Sequence, residues 1–496
     1  MALSACATGP DFRVPERGAA LASFATPIPA DQAALPSRTV EQDIDPAWWM
    51  LFQDATLVAL ERDALAANLD LQAAASRVAQ SRAALRVSGA ALLPTVSANA
   101  SGLRERASDK GIMALTGTAA PISPVAANGA DPFGNSSMPG ESGSKPFSLW
   151  QYGFDASWEI DLWGRAHRAR ESAAAQMDAA RFDAAAVRVA ITAEVARTYL
   201  ALRGVQNDLR IARATIDIAR NSLRVAERRR SQGVATGFDT AVSGAQLATF
   251  ESAVPDLEQR RDALMNALAL LLAKPPHALD AQLAGTDADA VPGLPPQVPV
   301  GLPSQLAHRR PDILRAEARL HAATAAIGVA KADFYPSISL TGSFGMQALN
   351  FSEAGDWGAR QFAVGPVLHL PIFEGGRLTG NLALTEARQQ EAAIGFQRTV
   401  LAAWHEVDDA LSAYRSVQRR AERLEVAVTE NRKALANAER RYTQGAADYL
   451  SVLVTRQRLL DSENAASRSR TEMAVAMVSL YKALGGGWTP DSGEGA

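Results

Sequence analysis

The sequence predicts a mainly α fold of the α+β class, built as two structural repeats per chain. Three observations predict it. Residues 83–94 (AALRVSGAALLP) return as 325–336 (AAIGVAKADFYP) 242 positions on, and 226–233 (AERRRSQG) return as 438–445 (AERRYTQG) 212 positions on. Four short segments alternate apolar and polar residues. Two runs of 68 residues, 165–232 and 377–444, contain no proline. The offset between copies falls by 30 because the first carries a longer polar insert, roughly Arg104–Ser148, where the second has only Gln347–Gln361. Units that cannot bury their own faces point to an assembly built by repetition.

Composition narrows the class further. The chain has 496 residues and 47% hydrophobic content, with no apolar run of the roughly 20 residues that a membrane-spanning helix needs. A net charge of -3 argues against a strongly basic nucleic-acid binder. Aromatic content of 6%, with Ala and Arg abundant, suits long, closely packed helices. Cys6 is the one cysteine, so no intramolecular disulfide is expected. Leu3-Ser4-Ala5-Cys6 reads as a bacterial lipobox, with a free thiol in a frayed terminus as the alternative. Neither a basic nor an apolar segment precedes it, which fits a late start or a trimmed export signal.

Residues 1–45, rich in Pro, Ala and Asp without a period, read as an extended tether. Repeat 1 then spans 46–276. Trp48-Trp49, Leu57, Leu60, Leu65, Leu69 and Val78 continue at helical spacing to Leu85, and Pro94 ends that helix. Strands are expected at about 94–103 and 149–162. In the second, Trp150, Tyr152, Phe154, Ala156, Trp158, Ile160 and Leu162 face one way, against polar residues between them. The long helix 165–232 follows, then a tight turn and a return helix, 237–274. A Pro-, Gly- and Asp-rich linker (277–303) leads to repeat 2 (304–486). Its strands fall at about 336–346 and 361–373, its long helix at 377–444 and its return helix at 448–484; 487–496 read as a disordered tail.

One such strand could belong to a soluble sandwich. Four of them, with aromatics at their ends and a water-compatible opposite face, suit a transmembrane barrel better. Four strands cannot close, and an open sheet edge is prohibitive in lipid. Neighbouring copies are therefore required, and three chains would give a barrel of twelve strands. Each 68-residue helix makes a rod of about 100 Å. Leu202, Leu209, Ile216 and Leu223 recur every seven residues with Val205, Ala212, Ala219 and Ala226, as in supercoiled helices. A second stripe, Ile211, Ile218 and Val225, predicts partners on both sides. In the second half the seam is Tyr414, Ala421, Val428 and Leu435. Gly233 and Gly445 terminate the long helices, and Thr236 and Asp448 cap the returning ones.

These blocks in order resemble the TolC-like outer-membrane efflux factors, in their NodT-type lipoprotein branch. The resemblance rests on Cys6-Ala7-Thr8-Gly9-Pro10-Asp11-Phe12 with Pro15, Trp48-Trp49, and Asn68-Leu69-Asp70-Leu71. It continues through Arg309-Arg310-Pro311-Asp312-Ile313, Phe334-Tyr335-Pro336 and Pro371-Ile372-Phe373-Glu374-Gly375-Gly376-Arg377. Arg441-Tyr442-Thr443-Gln444-Gly445 with Tyr449-Leu450-Ser451-Val452-Leu453 completes it. It implies a homotrimer: an outer-membrane β-barrel, four strands per chain, continued by a long periplasmic α-helical barrel. The implied function is passive export of small toxic compounds or drugs in a tripartite system. The implied partners are a periplasmic adaptor (membrane fusion) protein and an inner-membrane transporter of the resistance-nodulation-division type. Outer-membrane lipid is a further contact, and nucleic acid is not.

The resemblance also implies site residues. Adaptor docking falls on the hairpin turns, at Arg228, Gly233 and Thr236 and at Arg440, Gln444, Gly445 and Asp448. The alternative is that the glycines only end helices and the arginines form a solvated face. The pore constriction falls on Phe238 and Leu450, with Asp239 as a source of charge because Val454 stands where the family often has an acid. Lipidation falls on Cys6, and no other cofactor is expected. The six histidines (167, 277, 308, 321, 369 and 405) make no close metal-ligand pair, no Gly-rich phosphate loop follows a strand, and no enzyme is expected. Two other readings remain: an outer-membrane duct for type I protein secretion, and a soluble coiled-coil scaffold or periplasmic adaptor.

Overall fold

A computed structural model of the chain describes residues 8–15, 37–40, 42–106, 146–283, 291–300 and 309–489. In chain order the elements are β1 (Arg38–Val40), a 3-10 turn (Trp48–Phe52), α1 (Ala55–Ala67) and α2 (Leu69–Ala90). Strands β2 (Thr95–Glu105) and β3 (Phe147–Ile160) lead to α3 (Arg165–Ser231), α4 (Gly237–Ser252) and α5 (Val254–Leu271). A short α6 (Asp280–Leu283) and β4 (Gln297–Pro299) precede α7 (Pro311–Ala332), β5 (Ser337–Ala348), β6 (Arg360–His369), α8 (Arg377–Thr443) and α9 (Tyr449–Ala483). Both long helices have 67 residues. Cys6, most of the polar insert and the tail beyond Thr489 lie outside the described residues.

The chain divides into two compact units, and they are not the two repeats. One contains residues up to 14, 80–178 and 318–393; the other contains 15–79, 179–317 and 394 onward. Each unit draws on both repeats because the strands pair across the repeat boundary. The sheet order is β2-β3-β5-β6, antiparallel throughout, so β3 of the first copy bonds to β5 of the second.

The other unit is helical around a core of Trp48, Leu57, Leu60, Tyr199, Leu200, Leu268, Tyr414, Met477 and Tyr481. Trp48 stacks on Tyr481 at 5.2 Å. Most of the heptad seam is buried as its spacing predicts: Leu202, Leu209, Ile216, Ala219 and Ala226 on α3, and Tyr414, Ala421 and Val428 on α8, while Val205, Ala212, Leu223 and Leu435 are half-buried. The second stripe stays largely open, with Ile218 and Val225 exposed and Ile211 half-buried.

Several boundaries differ from the sequence expectation. The first helix is divided at Asn68, whose side-chain oxygen caps the backbone N–H groups of Asp70 and Leu71 while its amide donates to the Leu271 carbonyl at 2.8 Å. The first return helix breaks at Ala253, because Pro255 has no N–H to offer and sits at the start of α5 instead. Arg38–Val40 of the expected tether pairs in parallel with Gln297–Pro299 of the expected linker. Three-residue strands are too short to show a period. The tail's first residues are packed: Trp488 Nε1 donates to the Arg309 carbonyl at 2.8 Å, and the Gly487 carbonyl accepts from Arg188 Nε at 2.9 Å.

One core group is out of keeping with its surroundings. Glu61 on α1 is wholly buried, and neither carboxyl oxygen has a hydrogen-bond partner among the described residues. Burial pushes its pKa up to about 9, with only the backbone near Ala196 opposing. The unfolded carboxyl ionises near 4.5, so between that pH and about 9 the unfolded state holds fewer protons than the folded one. Stability should then fall as pH rises through this window, by about 1.4 kcal/mol per pH unit. Glu61→Gln is expected to remove that slope and raise the melting temperature at pH 8. A melting curve with the same pH dependence in both proteins would contradict this.

Candidate functional site

The first candidate surface is the sheet. Its register puts the predicted apolar residues in common rows on one face: Ala98–Phe154–Phe344–Phe362, Val96–Ala156–Gly342–Val364, and Trp158–Leu340–Pro366. The opposite face carries Thr95–Ser157–Thr341–Gly365 and Ser97–Asp155–Ser343–Ala363. A globular protein would cover the apolar face, yet Phe362 and Val364 are 74% and 75% exposed. Phe154, Phe344 and Leu368 are exposed beside them. An uncovered face of this composition is a lipid-facing wall with water on the other side.

Both ends of the strands carry aromatic anchors. At one end Trp150 meets Phe351 edge-on at 5.1 Å, Arg360 lies over Trp357 at 4.6 Å, and Tyr152 Oη donates to the Ala354 carbonyl at 2.8 Å. At the other, Trp158 Nε1 donates to the Leu92 carbonyl at 3.1 Å and Trp163 Nε1 to that of Pro336 at 2.8 Å, with Trp163 stacked on Tyr335. Rings with one polar handle in this position match the aromatic girdles of membrane barrels.

Midway, the backbones of β3 and β5 close on each other. A Cβ on Gly153 would lie 2.5 Å from the Phe344 carbonyl oxygen, and one on Gly345 would lie 2.7 Å from that of Tyr152. Only glycine fits at these two paired positions, in a row flanked by Asn99 and Gln361, and glycine kinks are how sheets gain the curvature of a closed wall. The wall is nevertheless open: among the described residues β2 and β6 each have one neighbour.

The second surface is the pair of hairpin ends. Gly233 (φ +73°) and Gly445 (φ +72°) adopt the left-handed conformation predicted for helix terminators. Val234 N–H returns to the Arg229 carbonyl at 2.9 Å, and Ala446 N–H to that of Arg441 at 2.8 Å. Thr236 caps α4 in a reciprocal box with Asp239, and Asp448 caps α9 by accepting from Ser451 N–H at 3.0 Å. The Thr236 N–H and hydroxyl hold the Asp239 carboxyl below its usual pKa. Asp448 is lowered likewise by the Ser451 hydroxyl and N–H.

The remaining predicted site residues fall around these turns. Phe238 is 70% exposed at the start of α4, and Arg228, Arg440 and Gln444 are exposed beside the glycines. Leu450 falls in the first turn of α9; its side chain is outside the described residues, as is the lipidation candidate Cys6.

One contact was not foreseen. Arg229 donates to Tyr442 Oη and lies 5.4 Å from that ring, which in turn sits 5.3 Å from Tyr449. This ties the two hairpins together. The repeat held the signal: Tyr442 stands where its partner copy has Arg230. No group of three metal-ligating side chains occurs among the described residues, and no described helix is long and apolar enough to cross a membrane.

Comparison with known proteins bears on both surfaces. The sequence model of the outer membrane efflux protein family matches residues 60–274 and 302–486. Over 472 residues the chain is 33% identical to the pyoverdine export outer membrane protein OpmQ of Pseudomonas putida, covering 95% of this chain and 93% of that one. It is also 33% identical over 500 residues to outer membrane protein OprJ of Pseudomonas aeruginosa, covering 98% and 94%. Among solved structures, the outer-membrane channel OprN superposes with a TM-score of 0.82 at 30% identity, over 98% of this chain and all of that one. The open-state MtrE outer membrane channel of Neisseria gonorrhoeae superposes with a TM-score of 0.77 at 26% identity, over 97% and 98%.

Proposed function

The chain belongs to the outer membrane efflux protein family, and from that premise we propose that three copies form a passive duct through which small toxic compounds leave the periplasm. As a family member it is an outer-membrane efflux channel without catalytic chemistry. The observation that carries the finer reading is the exposed amphipathic sheet with two open edges. Four strands leave unpaired N–H and C=O groups at β2 and β6, which hydrocarbon does not tolerate. Three copies joined β6 to β2 give a closed wall of twelve strands. The open stripe of Ile218 and Val225 supplies a second helix contact for the same neighbours.

In this reading the hairpin ends are where a periplasmic adaptor docks, through Arg228, Gly233 and Thr236 and through Arg440, Gln444, Gly445 and Asp448. An inner-membrane transporter of the resistance-nodulation-division type supplies the energy. Phe238 and Leu450 narrow the passage, and the bridge from Arg229 to Tyr442 holds the ends together at rest. Cys6 carries a lipid that tethers the N-terminus to the membrane. Drug-like cargo is favoured because relatives are named for antibiotic and toluene efflux.

Deleting the gene in a strain lacking other outer-membrane ducts is expected to raise the accumulation of a fluorescent dye, and the wild-type gene to restore it. Unchanged accumulation with wild-type adaptor and pump present would count against small-molecule export and favour protein cargo.

A further inference from the structure

The hairpin ends carry a charge that the rest of the chain does not. The whole chain is at -3. The last turn of α3 nonetheless holds Arg228, Arg229 and Arg230, and that of α8 holds Arg440 and Arg441. Arginines here offset the helix dipole, but that amounts to about half a charge per helix. Two helix ends cannot absorb five guanidinium groups.

Nearby acids do not absorb them either. None of the five arginines forms an ion pair among the described residues. Arg229 is turned to Tyr442, and Arg441 reaches only the Ala446 carbonyl, at 3.5 Å. Asp239 feels the charge of Arg229 without pairing with it and is held, like Asp448, as a helix cap, and Glu439 is taken by Arg456 at 2.7 Å. Over residues 224–241 four arginines stand against Glu227 and Asp239. Over 436–456 three stand against Glu439 and Asp448. The two turns together are three charges positive, on a chain that is negative overall, and the contact between Arg229 and Tyr442 puts them side by side.

We propose that this end of the duct is an electropositive mouth, so that the cargo it favours is small anionic molecules. The inference rests on the reading that three copies enclose one passage, which brings three such clusters around it. Exposed charges act over about 8 Å at physiological salt, enough to span a narrow mouth. Walls of one sign and low dielectric raise the local concentration of counter-ions.

The test is the reversal potential of the purified full-length trimer in a planar lipid bilayer under a potassium chloride gradient. Wild type should reverse toward the chloride potential. A triple variant, Arg228→Glu with Arg440→Glu and Arg441→Glu, should lose that preference and turn toward potassium. Arg440→Gln with Arg441→Gln, a milder change, should reduce it if the triple variant does not assemble. Potassium preference or none in wild type, or an unchanged preference in assembled variants, overturns the inference while leaving the duct intact. Absence of current steps from inserted trimers, both wild type and a variant without the hairpin bridge (Arg229→Ala with Tyr442→Phe), overturns the duct and this inference together.

Discussion

Phe344→Arg should abolish assembly in the outer membrane while leaving the helical unit folded. Phe344 lies in the row Ala98–Phe154–Phe344–Phe362, toward the middle of β5 on the exposed apolar face. An arginine on the lipid face costs about 2–4 kcal/mol near the bilayer midplane. Threefold symmetry repeats that cost in every copy. Ser157→Arg makes the matching control, because Ser157 lies on β3 with its side chain on the polar face, in the row with Thr95 and Thr341. It should insert normally. The measurement is the amount of heat-modifiable trimer in outer-membrane fractions. Normal levels for Phe344→Arg would mean that this face does not meet lipid.

Arg310→Ala carries the second large effect, this time in the helical unit. The Arg310 side chain is nearly buried; it bonds to Asp312 at 2.7 Å, to Glu406 at 2.6 Å and to the Ala483 carbonyl, the last residue of α9, at 2.7 Å. These carboxylates hold the guanidinium pKa above its usual value despite burial. Truncation leaves Asp312 and a helix-end carbonyl without their partner. Breaking a buried pair costs about 3–5 kcal/mol; the low end applies here because Glu406 is half exposed. Arg310→Lys should recover only part of this, since a point charge cannot make the forked contact. Thermal melting in detergent measures both. A variant melting within a degree of wild type would show that the cluster contributes little.

Much of this architecture was legible in the sequence where a period runs long enough to read. The alternation of Trp150–Ile160 fixed both faces of β3, and pairing carried the same faces across Phe344 and Phe362. The seven-residue spacing from Leu202 to Ile216 marked the buried seam. Gly233, Gly445, Thr236 and Asp448 could be assigned because turn and cap chemistry is local. What was missed depends on contacts distant in sequence. The pairing of Arg38–Val40 with Gln297–Pro299 leaves no periodic trace, and the two repeats interlock through β3 and β5 rather than folding as separate halves. Trp488 is ordered by Phe182 and Arg309, far from it in the chain. Of the candidate site, the turn residues were visible as motifs. The bridge from Arg229 to Tyr442 was not, because it joins two hairpins whose proximity only folding establishes.

That the assembled chain is itself the passage is what everything else depends on. Its most direct test is current through the purified trimer in a planar bilayer, with no adaptor, pump or energy source, beside a variant lacking the hairpin bridge (Arg229→Ala with Tyr442→Phe). Discrete ohmic steps are expected, larger in the variant than in wild type. Correctly inserted trimers that carry no current in either form would contradict this expectation.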